Sequence, residues 1–271
     1  MKNDKIKEIT EQLEQGVKDV FTSENYINYL QTMSKFHTYS LNNQLLIWMQ
    51  KPEATHVAGY KTWQKSFKRQ VRKGEKGIKI LAPIPCKFKK EVQTEDGIEE
   101  KEIQYNRFRA VPVFDISQTD GEDLPTIVKV LDGDVDGYED LLQKLQDASP
   151  VPVEFKEIDG SGNGYFHTAD KVIAIQDGMS QIQTIKTAIH EIAHSILHDK
   201  DEGLEKDADR SLKECQAESV AYIVSNYLGL DTSDYSFGYV AGWCRKSNTD
   251  ELKANLEVIR NAANQIIEKI A

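Results

Sequence analysis

The sequence predicts an α+β protein of two domains: N-terminal helices leading into a β-rich segment, then a C-terminal half organised around a helix bearing an HExxH motif. Three observations carry this expectation. Apolar residues recur at helical spacing near both ends of the chain, β-rich stretches fill the centre of the first half, and a polar, turn-rich segment near residues 115–134 separates halves of opposite charge. With 271 residues, 39% of them hydrophobic and 29% charged, the chain is long enough for two modest cores and is not of disordered composition.

The elements follow in order. Residues 5–21 and 24–36 have helical periodicity, with Ser23 placed to cap the second, and residues 40–49 suggest a third, short helix. Residues 77–92 and 102–114 read as strands joined by the charged tip Gln93-Thr94-Glu95-Asp96-Gly97. The turn formers of 115–125 and 131–134 read as a linker, which sets the domains at 1–123 and 124–271. Beyond it, residues 138–146 are helical and 151–158 form a strand, and 164–167 and 171–175 make two short strands around Thr168-Ala169-Asp170. Helices over 182–197, 211–224 and 251–270 close the chain, and no internal repeat is visible.

His190-Glu191-Ile192-Ala193-His194 is the stretch richest in chemistry. On a helix, residues four apart share one face, so two imidazoles can converge on one ion while the Glu between them reaches a water there. Ile182, Ile185, Ile189, Ile192, Ala193, Ile196 and Leu197 fall at helical spacing, which puts the motif on an amphipathic helix. A catalytic zinc typically takes about three protein ligands and keeps one position open, so a third ligand is required. His198 continues the i, i+4 series, but eight helical residues separate it from His190 by about 12 Å, too far for one ion. The HExxHxxGxxH pattern is excluded, because Leu197 and Lys200 occupy its Gly and final His positions.

The next helix offers two carboxylates, Glu214 and Glu218, one turn apart beside a small apolar face of Ala217, Ala221 and Val224. Glu214 follows His194 by 20 positions, and this resembles the glutamate-type zincins, in which HExxH is followed by 19 residues and a ligand Glu. The resemblance implies a zincin-like domain that binds zinc (Zn2+) through His190, His194 and Glu214. It also implies that Glu191 acts as general base and that Glu218 orients a ligand His. The reaction implied is amide hydrolysis by zinc-activated water, with Glu191 taking the proton. In zincins the strand before the motif helix offers its edge to an extended peptide, a role that falls to the strands of 164–175. Tyr222, Tyr235, Tyr239 and His167 are all candidate donors to the transition-state oxyanion, and the sequence does not choose among them.

Composition bounds the remaining possibilities. The first eight residues are charged and lack the apolar core of a leader, and no apolar run reaches membrane-spanning length, so a cytoplasmic protein without membrane association is expected. Cys86, Cys215 and Cys244 form no CxxC pair and read as reduced thiols. The net charge of −10 divides unevenly: residues 1–115 carry 20 Lys and Arg against 15 Asp and Glu, and residues 116–271 carry 14 against 29. Between Lys61 and Lys90, eleven basic residues face one acid, Glu75, a pattern suited to a polyanion. Within this block Tyr60, Trp63 and Phe67 alternate with Lys61, Lys65, Lys68 and Arg69. Basic groups that track phosphates beside aromatic faces that stack on bases suit single-stranded nucleic acid. The competing reading is a short helix with Trp63 and Phe67 as its buried stripe and its lysines solvated.

Asn42-Asn43-Gln44-Leu45-Leu46-Ile47, Trp63 and Val71-Arg72-Lys73-Gly74-Glu75-Lys76-Gly77-Ile78 resemble the N-terminal single-stranded-DNA-binding domain of ArdC-type antirestriction proteins and their LtrC-like relatives, most closely at KGEKG. HEIAH and the segment Glu214-x-x-Ala217 are similar to the ImmA/IrrE-type metallopeptidases, although Glu218 stands where ImmA-like members often have Asn. Together these resemblances cover most of the chain. They imply a protein of a conjugative element that binds incoming single-stranded DNA and protects it from restriction, with a protein or peptide as the substrate of its peptidase domain. KGEKG reads as a turn that sets Lys73 and Lys76 at the mouth of a strand, with two glycines allowing backbone close to phosphate. The DNA-binding candidates are Asn43, Trp63, Lys68, Arg69, Arg72, Lys73, Lys76 and Lys79.

Two functions from different classes are compatible with these features. One is a DNA-associated zinc metallopeptidase; the other is a DNA-binding protection protein whose zinc is structural. Glu191 beside the ligands favours the first, since a structural site needs no base.

Overall fold

A computed structural model describes residues 2–21, 23–94, 97–124, 137–160, 162–199, 210–235, 237 and 248–271. It is a mixed α and β chain that divides into two compact units, Met1–Leu13 with Leu46–Glu122 and Glu14–Leu45 with Asp123–Ala271. The later division between the units follows Glu122, whereas the sequence reading ended its first domain at residue 123. By their contacts, residues 14–45 group with the second unit.

The helices α1 (Lys2–Val20) and α3 (Leu41–Gln50) each contain a point of division between the units. The first unit is otherwise built from β1 (Val57–Ala58), α4 (Tyr60–Lys65), β2 (Arg69–Val71), β3 (Ile78–Thr94), β4 (Gly97–Asp115) and β5 (Thr119–Gly121). β3 and β4 pair antiparallel along their whole length, Ile78 opposite Val113 and Thr94 opposite Gly97, and β1 adds to the other edge of β4. The tip residues Glu95 and Asp96 lie outside the described residues. At the base of the hairpin Ile78, Ile80 and Val113 alternate inward and are buried, whereas Phe108 further along is exposed.

The residues read as the start of a linker are ordered. Asp115 is buried and its carboxylate accepts from the backbone N–H groups of Thr55, His56 and Ser117 at 2.8, 3.1 and 2.9 Å. The Gln118 side chain returns a bond to the Asp115 N–H, which closes a capping box around a single 3-10 turn, and β5 then pairs antiparallel with β2. The polar residues that suggested a loop satisfy backbone groups inside the fold. The rest of the expected linker, from residue 125 to 136, lies outside the described residues.

The second unit contains α2 (Ser23–Lys35), α5 (Tyr138–Ala148), β6 (Val153–Lys156), β7 (Gly164–His167), β8 (Val172–Gln176), α6 (Gln181–Leu197), α7 (Arg210–Tyr227) and α8 (Thr249–Ile270). Its sheet has the order β6-β8-β7, parallel between β6 and β8 and antiparallel between β7 and β8. The central strand buries Ile173, Ala174 and Ile175 completely, as expected where both faces are covered. Ser180 caps α6 by accepting from the Gln183 N–H, and Asn248 with Glu251 forms a capping box on α8. α6 packs on β7, β8 and α7, and α7 packs in turn on α8 and α2. The packing of α7 on α2 explains the placing of residues 14–45: Tyr26, fully buried on α2, bonds Ser219 of α7 at 2.8 Å, and Ser34 donates to Asn226 at 2.6 Å.

Candidate metal centre and nucleic-acid interface

α6 and α7 bring three of the expected residues together. His190 Nε2 and His194 Nε2 are 3.1 Å apart, and Glu214 Oε2 lies 3.7 Å from the first and 3.5 Å from the second. Among the described residues, this is the one group of three His, Cys, Asp or Glu side chains whose ligand atoms all lie within 4.8 Å of one another. A tetrahedral ion with ligands at about 2.0–2.1 Å needs ligand atoms about 3.3–3.4 Å apart, so the donor set fits one borderline divalent metal. Small residues allow the helices to approach: Ala193 on α6 and Ala217 and Ala221 on α7 are all buried.

Glu218, one turn beyond Glu214, places Oε2 3.2 Å from His190 Nδ1. Burial opposes charge on His190, but bonds to Glu214 and Glu218 outweigh it and raise the imidazole to about 9. In return, the His190 imidazole first, and the His194 ring beside it, hold Glu214 well below the usual carboxylate range. Burial raises the Glu191 carboxyl, opposed by the charges of His190 and His194 and by a bond from the Phe166 N–H. Glu191 is therefore a buried, oriented carboxylate beside the ligand set and contributes no ligand atom to it. His198, rejected as a ligand, is buried at the end of α6 with Nδ1 2.9 Å from His194 Nδ1; burial lowers its imidazole to about 4.

A hollow of about 230 Å3 opens beside the centre, with His190, Glu191, Glu218, Lys186, Thr187 and Tyr235 in its lining. Gly164 also lines it, at the start of β7, which is an edge of its sheet. A Cβ on Gly164 would meet Thr187 Cγ2 at 2.7 Å and Glu191 Cγ at 3.2 Å, so this glycine lets the strand press against the motif helix. Of the four donor candidates, Tyr222 is buried and packs edge-on against Tyr235 and Phe237, His167 pairs with Asp170 on the surface, and Tyr239 lies outside the described residues. Tyr235 alone of them lines the hollow, and burial raises its hydroxyl above the ordinary range, so it remains a donor at neutral pH. Lys186, missed in the sequence, pairs with Asp234 at 2.7 Å over the Tyr235 ring. Its place four residues before His190 was the available signal.

The DNA-binding candidates separate into buried and exposed groups. Trp63 is 1% exposed and its Nε1 donates to the Phe114 carbonyl at 2.8 Å, so its faces pack in the unit and do not offer a stacking platform. Arg69 is likewise corrected: it is buried, and its guanidinium donates to Thr119 and to the Gly121 and Glu122 carbonyls. Asn43 is buried on α3 and so presents no surface to a strand. Lys68, Arg72, Lys73, Lys76 and Lys79 are exposed. Gly74 of KGEKG has φ +91°, the left-handed turn that glycine favours, and β3 begins at Ile78 as expected. Glu75 is tied to Arg72 at 2.8 Å and to Gln118 at 3.0 Å, and a hollow beside it is lined by Lys73, Arg72 and the exposed Tyr60. Lys76 and Lys79 line a second hollow of the same unit.

These features define a helix pair that gathers the HExxH and Glu ligand atoms in one unit, and a basic hairpin in the other. Residues 2–114 match the N-terminal domain of anti-restriction factor ArdC, and residues 147–267 match the IrrE N-terminal-like domain of peptidase M78. The chain thus carries a segment that matches the ArdC N-terminal domain, followed by one that matches the IrrE N-terminal-like domain. It is similar in fold to the crystal structure of antirestriction ArdC protein from R388 plasmid in its metal-free form, with TM-score 0.52 and 22% identity over 86% of this chain and 85% of that one. The Mn(II)-bound structure of the same protein gives TM-score 0.53 and 21% identity over the same shares. An uncharacterized Bacillus anthracis protein, pXO2-81, is 26% identical over 98% of this chain and 51% of its own length, so the chain spans about half of that relative. No helix among the described residues is long and apolar enough to cross a membrane.

Proposed function

We propose that this chain is a single-stranded-DNA-binding antirestriction protein whose IrrE-like domain is a zinc peptidase acting on protein found beside that DNA. The observation that carries the peptidase reading is the buried, oriented Glu191 next to three converging ligand atoms, since a structural metal has no use for it. Zinc held by His190, His194 and Glu214 supplies Lewis acidity and water activation when bound. Glu191 is positioned to accept the proton of the attacking water, its raised pKa bringing it closer to the working pH. The edge of β7 can pair with an extended peptide and hold it along the hollow. Tyr235, which lines the hollow, is the candidate donor to the carbonyl oxygen as charge develops on it.

For DNA, support comes from the exposed lysines of KGEKG with Tyr60 beside Lys73, and the family assigned to residues 2–114 agrees. Tyr60, 43% exposed, takes the stacking role that the sequence offered to Trp63. The decisive experiment is proteomic substrate profiling of the zinc-loaded protein with and without single-stranded DNA. Cleavage that requires Glu191 supports the proposal. DNA binding without cleavage in either condition returns the alternative of a protection protein with a structural metal.

A further inference from the structure

A line of buried polar groups leads away from the metal centre. His194 Nδ1 lies 2.9 Å from His198 Nδ1, His198 Nε2 lies 2.8 Å from Gln216 Oε1, and Gln216 Nε2 donates to Asn255 Oδ1 at 2.9 Å. His198 ends α6, Gln216 is on α7 and Asn255 on α8, with exposures of 8, 0 and 5%. An imidazole nitrogen either donates or accepts, so these links are coupled. The Gln216 oxygen can only accept, which places the hydrogen of His198 on Nε2. In the neutral ring Nδ1 then carries a lone pair, and the link to His194 requires a hydrogen on His194 Nδ1. The Nε2 of His194 is left with its lone pair, and that atom faces His190 Nε2 and Glu214 Oε2. Turning the Gln216 amide over would reverse every hydrogen along the line and leave His194 Nε2 protonated, unable to ligate.

We propose that His198, Gln216 and Asn255 form a tautomer-fixing relay that holds His194 in its ligating form and so sets the metal affinity of the centre. All three are positioning residues. The inference rests on the reading of the centre as a metal site. The two ligand imidazoles are thus served differently: the Glu218 carboxylate accepts at Nδ1 of His190 at a partly exposed position, and a neutral relay does the same for His194 where a lone buried carboxylate would carry a desolvation cost. With the His194 Nδ1 hydrogen held outward, its Nε2 lone pair and the Glu214 carboxylate converge on the single hydrogen at His190 Nε2, the one that a cation displaces.

The test uses the full-length protein with 15N-labelled histidine, reading the His194 tautomer by long-range 1H–15N correlation in the metal-free state and zinc affinity by calorimetry. Wild type is expected to show hydrogen on His194 Nδ1. His198→Leu and Gln216→Leu each remove an acceptor and are expected to lose that tautomer and about 10–100-fold in zinc affinity. His198→Asn, whose amide oxygen can stand near the lost Nδ1, and Gln216→Glu, which can only accept from His198, are expected to restore both readouts. The relay is overturned if both Leu variants keep wild-type affinity and tautomer, if Gln216→Glu behaves as Gln216→Leu does, or if wild-type His194 carries its hydrogen on Nε2. Failure of wild type to bind zinc while His194 keeps its Nδ1 hydrogen would instead overturn the metal reading and leave the relay standing.

Discussion

Glu191 and Glu214 are both carboxylates within one site, yet their surroundings drive them apart, burial raising one and the neighbouring imidazoles, His190 foremost, lowering the other. Under the proposed function, that contrast suits Glu191 to proton transfer and Glu214 to ligation. Glu191→Gln should leave zinc content intact and lower kcat by about 10²–10⁴-fold in a peptide-cleavage assay. Tyr235→Phe should lower kcat by about 10²-fold with little change in KM, if its hydroxyl serves the transition state. His190 gives a pH prediction. Its folded value, about 9 without metal, is above the ordinary 6.5, so the stability it lends the metal-free protein is full below about pH 6.5 and is lost as pH rises through about 9. Zinc must displace that proton, so the rise in Tm on adding zinc should grow across the same interval, a trend that thermal melts with and without chelator can measure. Tyr60→Ala should weaken binding to single-stranded DNA with little change in Tm, whereas Trp63→Ala should cost about 3–5 kcal/mol of stability.

At the scale of elements, helices were the legible part of the sequence. α6 and α7 have long apolar periodicity, and the interval between HExxH and Glu214 could be read without any coordinates. α4 was not legible in the same way: six residues give no stripe long enough to say which side faces inward, and the Phe114 carbonyl on β4 decides that Trp63 turns in and Tyr60 out. β2 and β5 have three residues each and owe their pairing to partners about 50 positions apart. Lys186 escaped the sequence reading, and Tyr235 stood there as one of four undistinguished candidates, because the hollow they line is assembled from β7, α6, α7 and the segment after α7. β7 carries the element-scale prediction. Gly164→Ala must displace Thr187 or Glu191 and should cost about 1–3 kcal/mol of stability, with activity falling further than stability explains because the base moves. A parallel fall in both, seen by comparing Tm with kcat, would separate the strand from the chemistry.

At the scale of the whole molecule, net charge misleads. A total of −10 would exclude a polyanion partner, yet the basic block of residues 61–90 is exposed at five of the candidate positions. Replacing Lys73 and Lys76 together with Ala should weaken DNA binding across sequences and reduce the slope of log K against log salt by about 0.7 for each phosphate that is no longer neutralised. An unchanged slope in a salt titration would move the strand to another surface.

The chain enters the second unit twice, once as Glu14–Leu45 and again after residue 122, and Tyr26 closes over Ser219 on α7. The IrrE-like domain is therefore a module in lineage but not in construction. A recombination event that joined it to a new partner at residue 123 would carry the ligand helices without the lid of their core. A viable exchange has to take α2 along as well, so natural shuffling of this domain is expected to respect the start of α1 and not the boundary that composition marks.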